Sequence, residues 1–447
     1  MSELFAAIQA AGGVRAEVSD RGWLQAMLDA EATLAHALAD TGRMARTHAT
    51  AIAAVCHASA YDPAELGAAA AGAGNPVVPL VRALIERVEG DVGASVHSGA
   101  TSQDILDTAM MLVARRSVDV LRTDLAGCMA LSAALARDHV DSVQAGRTLL
   151  QQAAPTTFGL TAAGWLSGQL RADEALVGAR AGLAVQLGGA VGTLAAYGDD
   201  GPTVVAAMAT RLGLAEPRLP WHTERSRVAV LAGALGQTAG AVAMAGRTIT
   251  LLAQTEVGEV AEEGPPGSGG SSTLPHKRNP IAAVLAVSCA AQAPGLVATL
   301  LASMGQEHQR AAGGWHAEWR ALSDLLLSTG SAVAWLRASL SRLRVDKDRM
   351  RRTVESGAEA LTAERVSGAL TPLLGRTAAQ DVVASCVRRA AAGEGSLVDL
   401  LAAHPRVAGR LDRERLAELV EPTAYLGSAA AFTRRVVDDY AQWKDQR

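Results

Sequence analysis

Apolar residues recur along this chain with the period of a helix. From residue 106 to 135, positions 106, 109, 110, 113, 120, 121, 125, 128, 131 and 135 are all apolar, one stripe of a 3.6-residue repeat. No run alternates convincingly with the period of two that a half-buried strand needs, and no repeat of solenoid length occurs. The prolines sharpen this picture. None falls in residues 80–154, 156–201, 221–264 or 295–371, and since an interior proline breaks a helix, each gap has room for a long one. A helix filling 221–264 would run about 66 Å. The pattern predicts an all-α chain in three blocks. Residues 1–100 hold shorter helices with turn signals at "YDPAEL" and "GNPVVPL". Residues 101–345 hold the long helices, and residues 346–447 hold short, more charged helices broken at "LLGRTAAQ", "AAGEGS" and "EPTAYLG".

Composition narrows the class. Hydrophobic residues make up 49% of the chain and aromatics only 3%, so the core is built from Ala, Leu and Val, small enough for helices to approach closely. A net charge of −4 and a pI near 6.2 give no reason to expect nucleic acid or an anionic membrane as partner. Cys56, Cys128, Cys289 and Cys386 have neither disulfide nor metal spacing and read as reduced core residues of a cytoplasmic protein. The start, "MSELFAAIQAAGG", has an acid at Glu3 and no basic segment, which argues against a secretory leader. Residues 228–246 and 281–306 carry no charge. They are rich in Ala and Gly and poor in the side chains that favour lipid, so burial inside a large soluble assembly is expected rather than a membrane.

Five segments offer chemistry. In "VHSGATSQDILDTAMMLVARR" (96–116), Thr101 and Asp104 have the spacing of a capping box. The segment is either a well-capped helix or one whose N-terminus, with Ser102 and Gln103 as further donors, holds a carboxylate; His97 is either a ligand contact or a satisfied structural histidine. "GRTLLQQAAPTTFG" (146–159) puts Arg147 and a pair of threonines at what reads as the end of a helix, and a turn with capping threonines explains it equally well. "PWHTERSRVAVLAG" (220–233) places Arg225 and Arg227 at a helix start, where the macrodipole disfavours cations. They need anionic company, from a substrate or from neighbouring acids. "RAAGGWHAEWRAL" (310–322) brackets His316 and Glu318 with tryptophans and reads as aromatic packing at a helix interface. The loop "GSGGSSTLPHKRNP" (267–280) has no phosphate-loop spacing, and the chain has no metal-ligand motif; no cofactor is expected. In that loop Ser271 and Ser272 lie in a glycine-rich segment with Lys277 and Asn279 just behind. Backbone amides, a lysine cation and exclusion of water would favour a serine alkoxide there; a surface linker is the plain alternative.

Taken in this order, the segments resemble the fumarase/aspartase superfamily of lyases. "GSSTLPHKRNP" resembles its signature GSSxMPxKxNP, with Leu274 in place of methionine; "SGATSQD" and "RTLLQQAAPTTFG" resemble two further segments. The resemblance covers essentially the whole chain. It implies a three-domain helical subunit, 1–100, 101–345 and 346–447, with the signature loop at 264–280. It also implies a homotetramer with a twenty-helix core and active sites shared between three subunits. By the same resemblance Ser271 is the catalytic base, and Lys277 and Asn279 hold a substrate carboxylate. His97, Thr101, Ser102, Gln103, Arg147, Thr148, Gln151, Arg225, Ser272, His276 and Arg278 bind a small polycarboxylate. The shared chemistry moves a proton at the carbon next to a carboxylate, through an enediolate whose extra charge needs fixed donors.

Many relatives read RTHxQ where this chain reads "RTLLQ". A leucine, Leu149, replaces a histidine that helps protonate the leaving group. That change is similar to the 3-carboxy-cis,cis-muconate cycloisomerase branch, in which the substrate's own carboxylate takes the leaving-group position. "GGWHAEW", "WHTERSR" and "EPTAYLG" also resemble this branch, although its usual Arg-Asp-Arg is here Arg225-Ser226-Arg227. The resemblance implies a cofactor-free cycloisomerase of aromatic-acid degradation. Its rival is a fumarate-releasing lyase acting on adenylosuccinate or a smaller nitrogen-substituted succinate, because "PHKRNP" also occurs in the adenylosuccinate branch. A non-catalytic structural relative is a third possibility, opposed by the intact Ser271, Lys277 and Asn279.

Overall fold

A computed structural model describes residues 3–265, 268–270 and 273–446. Helices dominate it, as the apolar period predicts. Each long proline-free gap contains one: Ser102–Asp138, Phe158–Ala181, Ser226–Leu252 and Gly314–Ser341. The helix in the 221–264 gap stops at Leu252, shorter than the gap allows, and the chain then turns into a short strand, Val260–Glu262. The described residues group into two compact units. The first comprises residues 1–127, 171–247 and 282–338; the second comprises 128–170, 248–281 and 339–447.

In the first unit the helix Asp20–Asp40 starts where the Ser19 side chain accepts from the amide of Gly22, satisfying one of the donors that every helix start leaves open. Its buried side is mostly Ala and Leu, and it packs on the helices Arg46–Val55 and Gly201–Leu212. The helix from Ser102 is tied to the helix containing Asp173 by a two-pronged contact, Arg122 Nε to Asp173 Oδ1 at 2.7 Å and Nη2 to Oδ2 at 3.1 Å. Small residues set the spacing elsewhere. A Cβ added to Gly330 would lie 2.6 Å from a methyl of the buried Val14.

The second unit contains the main departure from expectation. Residues 146–159 do not end a helix. Strands Val143–Thr148 and Gln151–Thr157 form an antiparallel hairpin, with Val143 opposite Thr157 and Thr148 opposite Gln151. The turn between them is Leu149-Leu150, both in the left-handed region at φ 50° and 65°. A two-residue hairpin turn normally draws Asn or Gly for that conformation, so the sequence carried no turn signal. Packing supplies what local preference does not: Ala145 and Val143 cluster with Val354 and Leu361 of the helix Lys347–Leu361. A second antiparallel pair joins Val260–Glu262 to Leu343–Val345. The C-terminal helices start at side-chain caps, among them Asp346, Ser396 and Asp412, and close around Val366, Leu370, Val383, Leu397, Leu401 and Leu416.

All four cysteines are free and buried. The uncharged stretch 281–306 is two helices, Ile281–Ala290 and Ala293–Ala302. With Ser226–Leu252 these stretches are long and apolar enough to cross a membrane by length and composition alone. Both leave apolar side chains uncovered in the single chain, including Val230, Met244, Val284 and Leu301.

Glycine substitutions test the packing. Alanine is favoured over glycine inside a helix by about 1 kcal/mol, whereas forcing a methyl into a filled space costs about 1–3 kcal/mol. At Gly67, where an added Cβ meets nothing within 4 Å, Gly67→Ala is expected to raise the melting temperature. Gly330→Ala is expected to lower it, because the stiff Val14 side chain cannot withdraw. Thermal unfolding followed by circular dichroism measures both.

Candidate active site

In the first unit the start of the helix Ser102–Asp138 is assembled around one carboxylate. Asp104, fully buried, accepts from the amides of Thr101 (3.0 Å), Gly188 (2.9 Å) and Gly189 (2.9 Å) and from His222 Nε2 (2.7 Å). It thus supplies the acidic half of the capping box and pins a second loop against the same helix start. Thr101 and Ser102 remain half-buried at this N-terminus, where helix amides stay open to an anion. Gln103 has another use: it is buried, and its Nε2 donates to Asp107 (3.1 Å) and to the His222 carbonyl (2.8 Å). Its amide donor braces the protein and does not face a ligand.

One turn further on lies the anionic company of Arg225. The guanidinium is 1% exposed and sits in a fork between two buried acids. Nη1 and Nη2 reach Asp107 at 2.8 and 3.1 Å, and Nη2 and Nε reach Glu318 at 2.6 and 3.0 Å. Trp315 Nε1 also donates to Asp107 (2.9 Å), and Gln306 Nε2 to Glu318 (3.0 Å). Burial opposes the Arg225 charge, but Asp107 and Glu318 outweigh it and hold the group firmly protonated. Burial pushes the Glu318 carboxyl up; the hydrogen bond and charge of Arg225 pull against this without cancelling it, and Asp107 adds to the push. The expectation that Arg225 contacts substrate is therefore corrected. Its charge is already balanced and sealed in, so it acts by fixing Asp107 and Glu318. Arg227 lies over the Trp221 ring, 4.6 Å from its centre. Of the segment 310–322, Trp315 and Trp319 do pack edge to face, at 4.8 Å, while Glu318 belongs to the ion cluster.

His97, at φ 58°, brings Nδ1 to 2.6 Å from Oε1 of the buried Glu31. Burial works against a charged ring here, but the charge and hydrogen bond of Glu31, with Asp104 behind, outweigh it and raise the His97 pKa above its ordinary value.

In the second unit Arg147 is committed to Glu259, with Nη2 to Oε1 at 2.6 Å and Nη1 to Oε2 at 3.1 Å. Gln144 joins the same carboxylate at 2.9 Å. Arg147 thus braces the hairpin beside a cavity of about 460 Å³ lined also by Leu150, Thr156, Thr161 and Gln254. Thr148 and Gln151 flank the hairpin turn and are exposed, and Leu149 between them is 96% exposed. The signature loop is closed at its neck: Asn279 donates to the Gly269 carbonyl through both N (2.8 Å) and Nδ2 (3.1 Å). Gly269 has φ 69°, and a Cβ there would lie 2.6 Å from the Asn279 carbonyl oxygen, so this approach requires glycine. His276, Lys277 and Arg278 are exposed. Ser271 and Ser272 lie outside the described residues.

The structure therefore gathers His97, Thr101 and Ser102 at one helix start, and Arg147, Thr148 and Gln151 on one hairpin. Sequence reasoning missed the supporting acids Glu31, Asp107 and Glu259 and the role of Glu318. For Glu31, Asp107 and Glu318 the available signal was their position on the buried side of helices, whereas Glu259 lies in a bend before a short strand. Among the described residues no group of three or more His, Cys, Asp or Glu is placed to hold a metal ion.

Comparison with known proteins places these features in context. Residues 8–295 match a protein family described as lyase, and residues 360–436 match the adenylosuccinate lyase C-terminus. The chain is 44% identical over 443 residues to a 3-carboxy-cis,cis-muconate cycloisomerase of Pseudomonas aeruginosa, covering 98% of this chain and 96% of that protein. It is 41% identical over 447 residues to a nitrosuccinate lyase of Streptomyces davaonensis, covering 98% and 94%. The crystal structure of the 3-carboxy-cis,cis-muconate lactonizing enzyme from Pseudomonas putida superposes with a TM-score of 0.92 at 39% identity, covering 99% of this chain and all of that one.

Two measurements test the electrostatics. Arg225→Met leaves Asp107 and Glu318 buried without their cation, and removing one member of a buried pair costs about 3–5 kcal/mol; the urea midpoint is expected to fall accordingly. For His97 the folded value is raised, so its contribution to stability is complete below the ordinary histidine value of about 6.5 and is lost as pH rises through the raised value. His97→Asn, which tolerates the left-handed backbone, is expected to flatten that part of the stability–pH curve.

Proposed function

The chain belongs to the lyase family of the fumarase/aspartase superfamily, and from that premise we propose that it is a cofactor-independent cycloisomerase closing 3-carboxy-cis,cis-muconate to its carboxymuconolactone. The observation that carries this reading is the extent of the likeness to a cycloisomerase, which runs through both units and all the segments discussed above.

The chemistry assigns roles as follows. An oxygen of one substrate carboxylate adds to a carbon of a double bond, and the displaced electron pair moves to the neighbouring carbon and into its carboxyl group as an enediolate. The Ser271 hydroxyl delivers a proton to that carbon and is reprotonated from solvent. A C–O and a C–H bond form, a π bond is consumed, and no fragment leaves. Lys277, Asn279 and the loop amides stabilise the enediolate, in which charge grows relative to the ground state. The helix start with Thr101 and Ser102 holds a second carboxylate, and His97, His276 and Arg278 offer charge to a third. Arg147, with Thr148 and Gln151, sets the hairpin. Ser272 follows the base in sequence.

Leu149 fits this chemistry. Fully exposed at the hairpin turn, it can transfer no proton, and an attacking carboxylate needs none. An expelled anion that is stable without protonation needs none either, which supports a second reading, release of fumarate from a nitrogen-substituted succinate such as nitrosuccinate.

We also infer a cytoplasmic homotetramer with sites shared among three subunits. The uncharged helices leave Val230, Met244 and Val284 uncovered in one chain, and a helix apolar on every side is suited to the centre of an assembly. Sedimentation at micromolar concentration is expected to give a single tetrameric species.

Loss of diene absorbance on adding 3-carboxy-cis,cis-muconate, with no absorbance change from nitrosuccinate or adenylosuccinate, is the expected outcome. Fumarate release from either succinate derivative, with the muconate untouched, overturns the first reading in favour of the second. Ser271→Ala is expected to lower kcat by at least about 10²-fold, the low end for a positioned proton-transfer group, while leaving the oligomer intact. Near-normal turnover in that variant removes the serine from the mechanism.

A further inference from the structure

We propose that Glu31 is a positioning residue that keeps the His97 ring protonated, with its Nε2–H edge presented to an anionic group of the substrate at the start of the helix Ser102–Asp138. The inference rests on the reading of that helix start as a carboxylate site and adds a residue from another helix, Asp20–Asp40, to its machinery.

The geometry is that of a carboxylate–histidine pair with one free edge. His97 Nδ1 lies 2.6 Å from Glu31 Oε1, and a contact this short between an imidazole and a carboxylate has the character of a charge-assisted bond. Glu31 is almost wholly buried, and its other oxygen, Oε2, meets no hydrogen-bond partner. A buried carboxylate with a single partner depends heavily on that partner's charge. At the other edge of the ring, Nε2 has no hydrogen-bond partner among the described residues, and 17% of the side-chain surface is exposed. The ring is thus tethered through one nitrogen and open through the other.

The backbone is arranged to hold it there. His97 adopts a left-handed φ of 58°, uncommon outside glycine although histidine is among the residues that take it more readily. Its carbonyl accepts from Ala100 N (3.3 Å), and the next carbonyl, of Ser98, accepts from the Tyr197 hydroxyl at 2.6 Å. Gly99 follows at φ 73°, with the Tyr197 ring filling the space where a Cβ would stand, 2.4 Å away. Three consecutive residues are therefore fixed in an unusual course that brings the ring to Glu31 and delivers the chain directly into Thr101.

The charged and titratable groups around the ring favour the cation. Glu31 faces it from Asp20–Asp40, and Asp104 from its own helix, already saturated by three amides and His222. Tyr197 is held neutral, its hydroxyl pushed up by burial and by the charges of Asp104 and Glu31. Burial and the charges of Glu31 and Asp29 raise the Cys56 thiol to about 12, so it carries no charge. The cations of this region are engaged elsewhere: Arg43 lies beside the Tyr197 ring, and Arg310 donates to the Gly189 carbonyl. Glu31 is the nearest of these groups and the one in direct contact.

The test uses the full-length protein with ¹³C-labelled histidine rings. The His97 resonance is identified by its disappearance in His97→Asn, and its titration is followed in wild type, Glu31→Gln and Glu31→Asp. Expected is a midpoint above about 6.5 in wild type that moves to lower pH in Glu31→Gln and by less in Glu31→Asp, which retains the charge. Steady-state turnover of 3-carboxy-cis,cis-muconate is expected to show a KM at pH 8 raised at least about tenfold in Glu31→Gln, the change that 1.4 kcal/mol produces. The same variant should show a much smaller change in kcat, an alkaline limb of kcat/KM shifted to lower pH, and partial recovery in Glu31→Asp. An unmoved ring titration, or a moved titration with unmoved KM and pH profile, overturns the proposal and leaves Glu31 a packing residue. If Glu31→Gln does not fold, the charge-retaining Glu31→Asp decides by the same two readouts. Wild-type protein that leaves the muconate unchanged sinks the cycloisomerase reading alone, since the ring titration still decides the pairing.

Discussion

The helix that begins at Ser102 depends on Asp104, a carboxylate buried completely and satisfied completely. A charge with no water around it is tolerable only when every lone pair is used. Asp104 uses its two oxygens on three backbone amides and a histidine. Two consequences follow from that one group. The loop at Gly188-Gly189 cannot drift from the helix start, and the half-buried Thr101 and Ser102 are held in place by the same carboxylate, which takes the Thr101 amide. Three residues along, Asp107 repeats the arrangement with a guanidinium, an indole and an amide as donors. The Arg225 charge then commits Glu318 as well. Replacing such a cluster by apolar side chains of equal volume is often neutral or stabilising, so stability alone does not account for it. Its effect is to give the helix start one geometry, which a site that stabilises a developing charge requires.

Much of this was legible in the sequence, and the part that was not has physical causes. The long helices follow from the apolar period and the proline gaps, because both act locally. The loop with Lys277 and Asn279 stood out only through the family resemblance, since its composition alone reads equally well as a surface linker. The hairpin was not legible. Its turn, Leu149-Leu150, has left-handed backbone at residues that disfavour it, and its strands owe their conformation to the Val354 and Leu361 side chains two hundred residues further along the chain. The acids were visible but mute. Glu31, Asp107, Glu259 and Glu318 all sit among apolar neighbours on helices or beside strands, and only the fold identifies the cation or imidazole that each one meets. Arg225 shows the same limit from the other side: the sequence indicated that it needed anions, and only the structure identified them as the protein's own.

A division of labour between the two kinds of arginine and lysine emerges. Arg225 and Arg147 are held bidentately by buried carboxylates, the use to which a planar, permanently charged fork is best suited. His276, Lys277 and Arg278 are exposed and adjacent on a loop closed at its neck by Asn279 and Gly269. Adjacent cations repel one another, modestly in water and more strongly as water is removed. A loop that carries Lys277 and Arg278 side by side is therefore most stable when closed over something anionic and least stable when closed over nothing. On the proposed function, the same charges that make the empty loop costly to close are those that receive a tricarboxylate.

An enediolate formed from a carboxylate adds negative charge where negative charge is already concentrated, and in water the step is disfavoured for that reason. On the proposed reading the compensation comes from hydrogen-bond donors and fixed cations. The helix start supplies oriented amides whose strength does not depend on pH. The loop supplies the side chains of Lys277 and Arg278. His97 stands between these classes: its charge is conditional and is set by a buried acid that no substrate touches. A site built from one pH-independent and one conditional source of positive charge binds its anion over a wide range of pH but orients it fully only where the conditional charge is present. On the proposed reading, that places the alkaline limit of the reaction in the contact between Glu31 and His97.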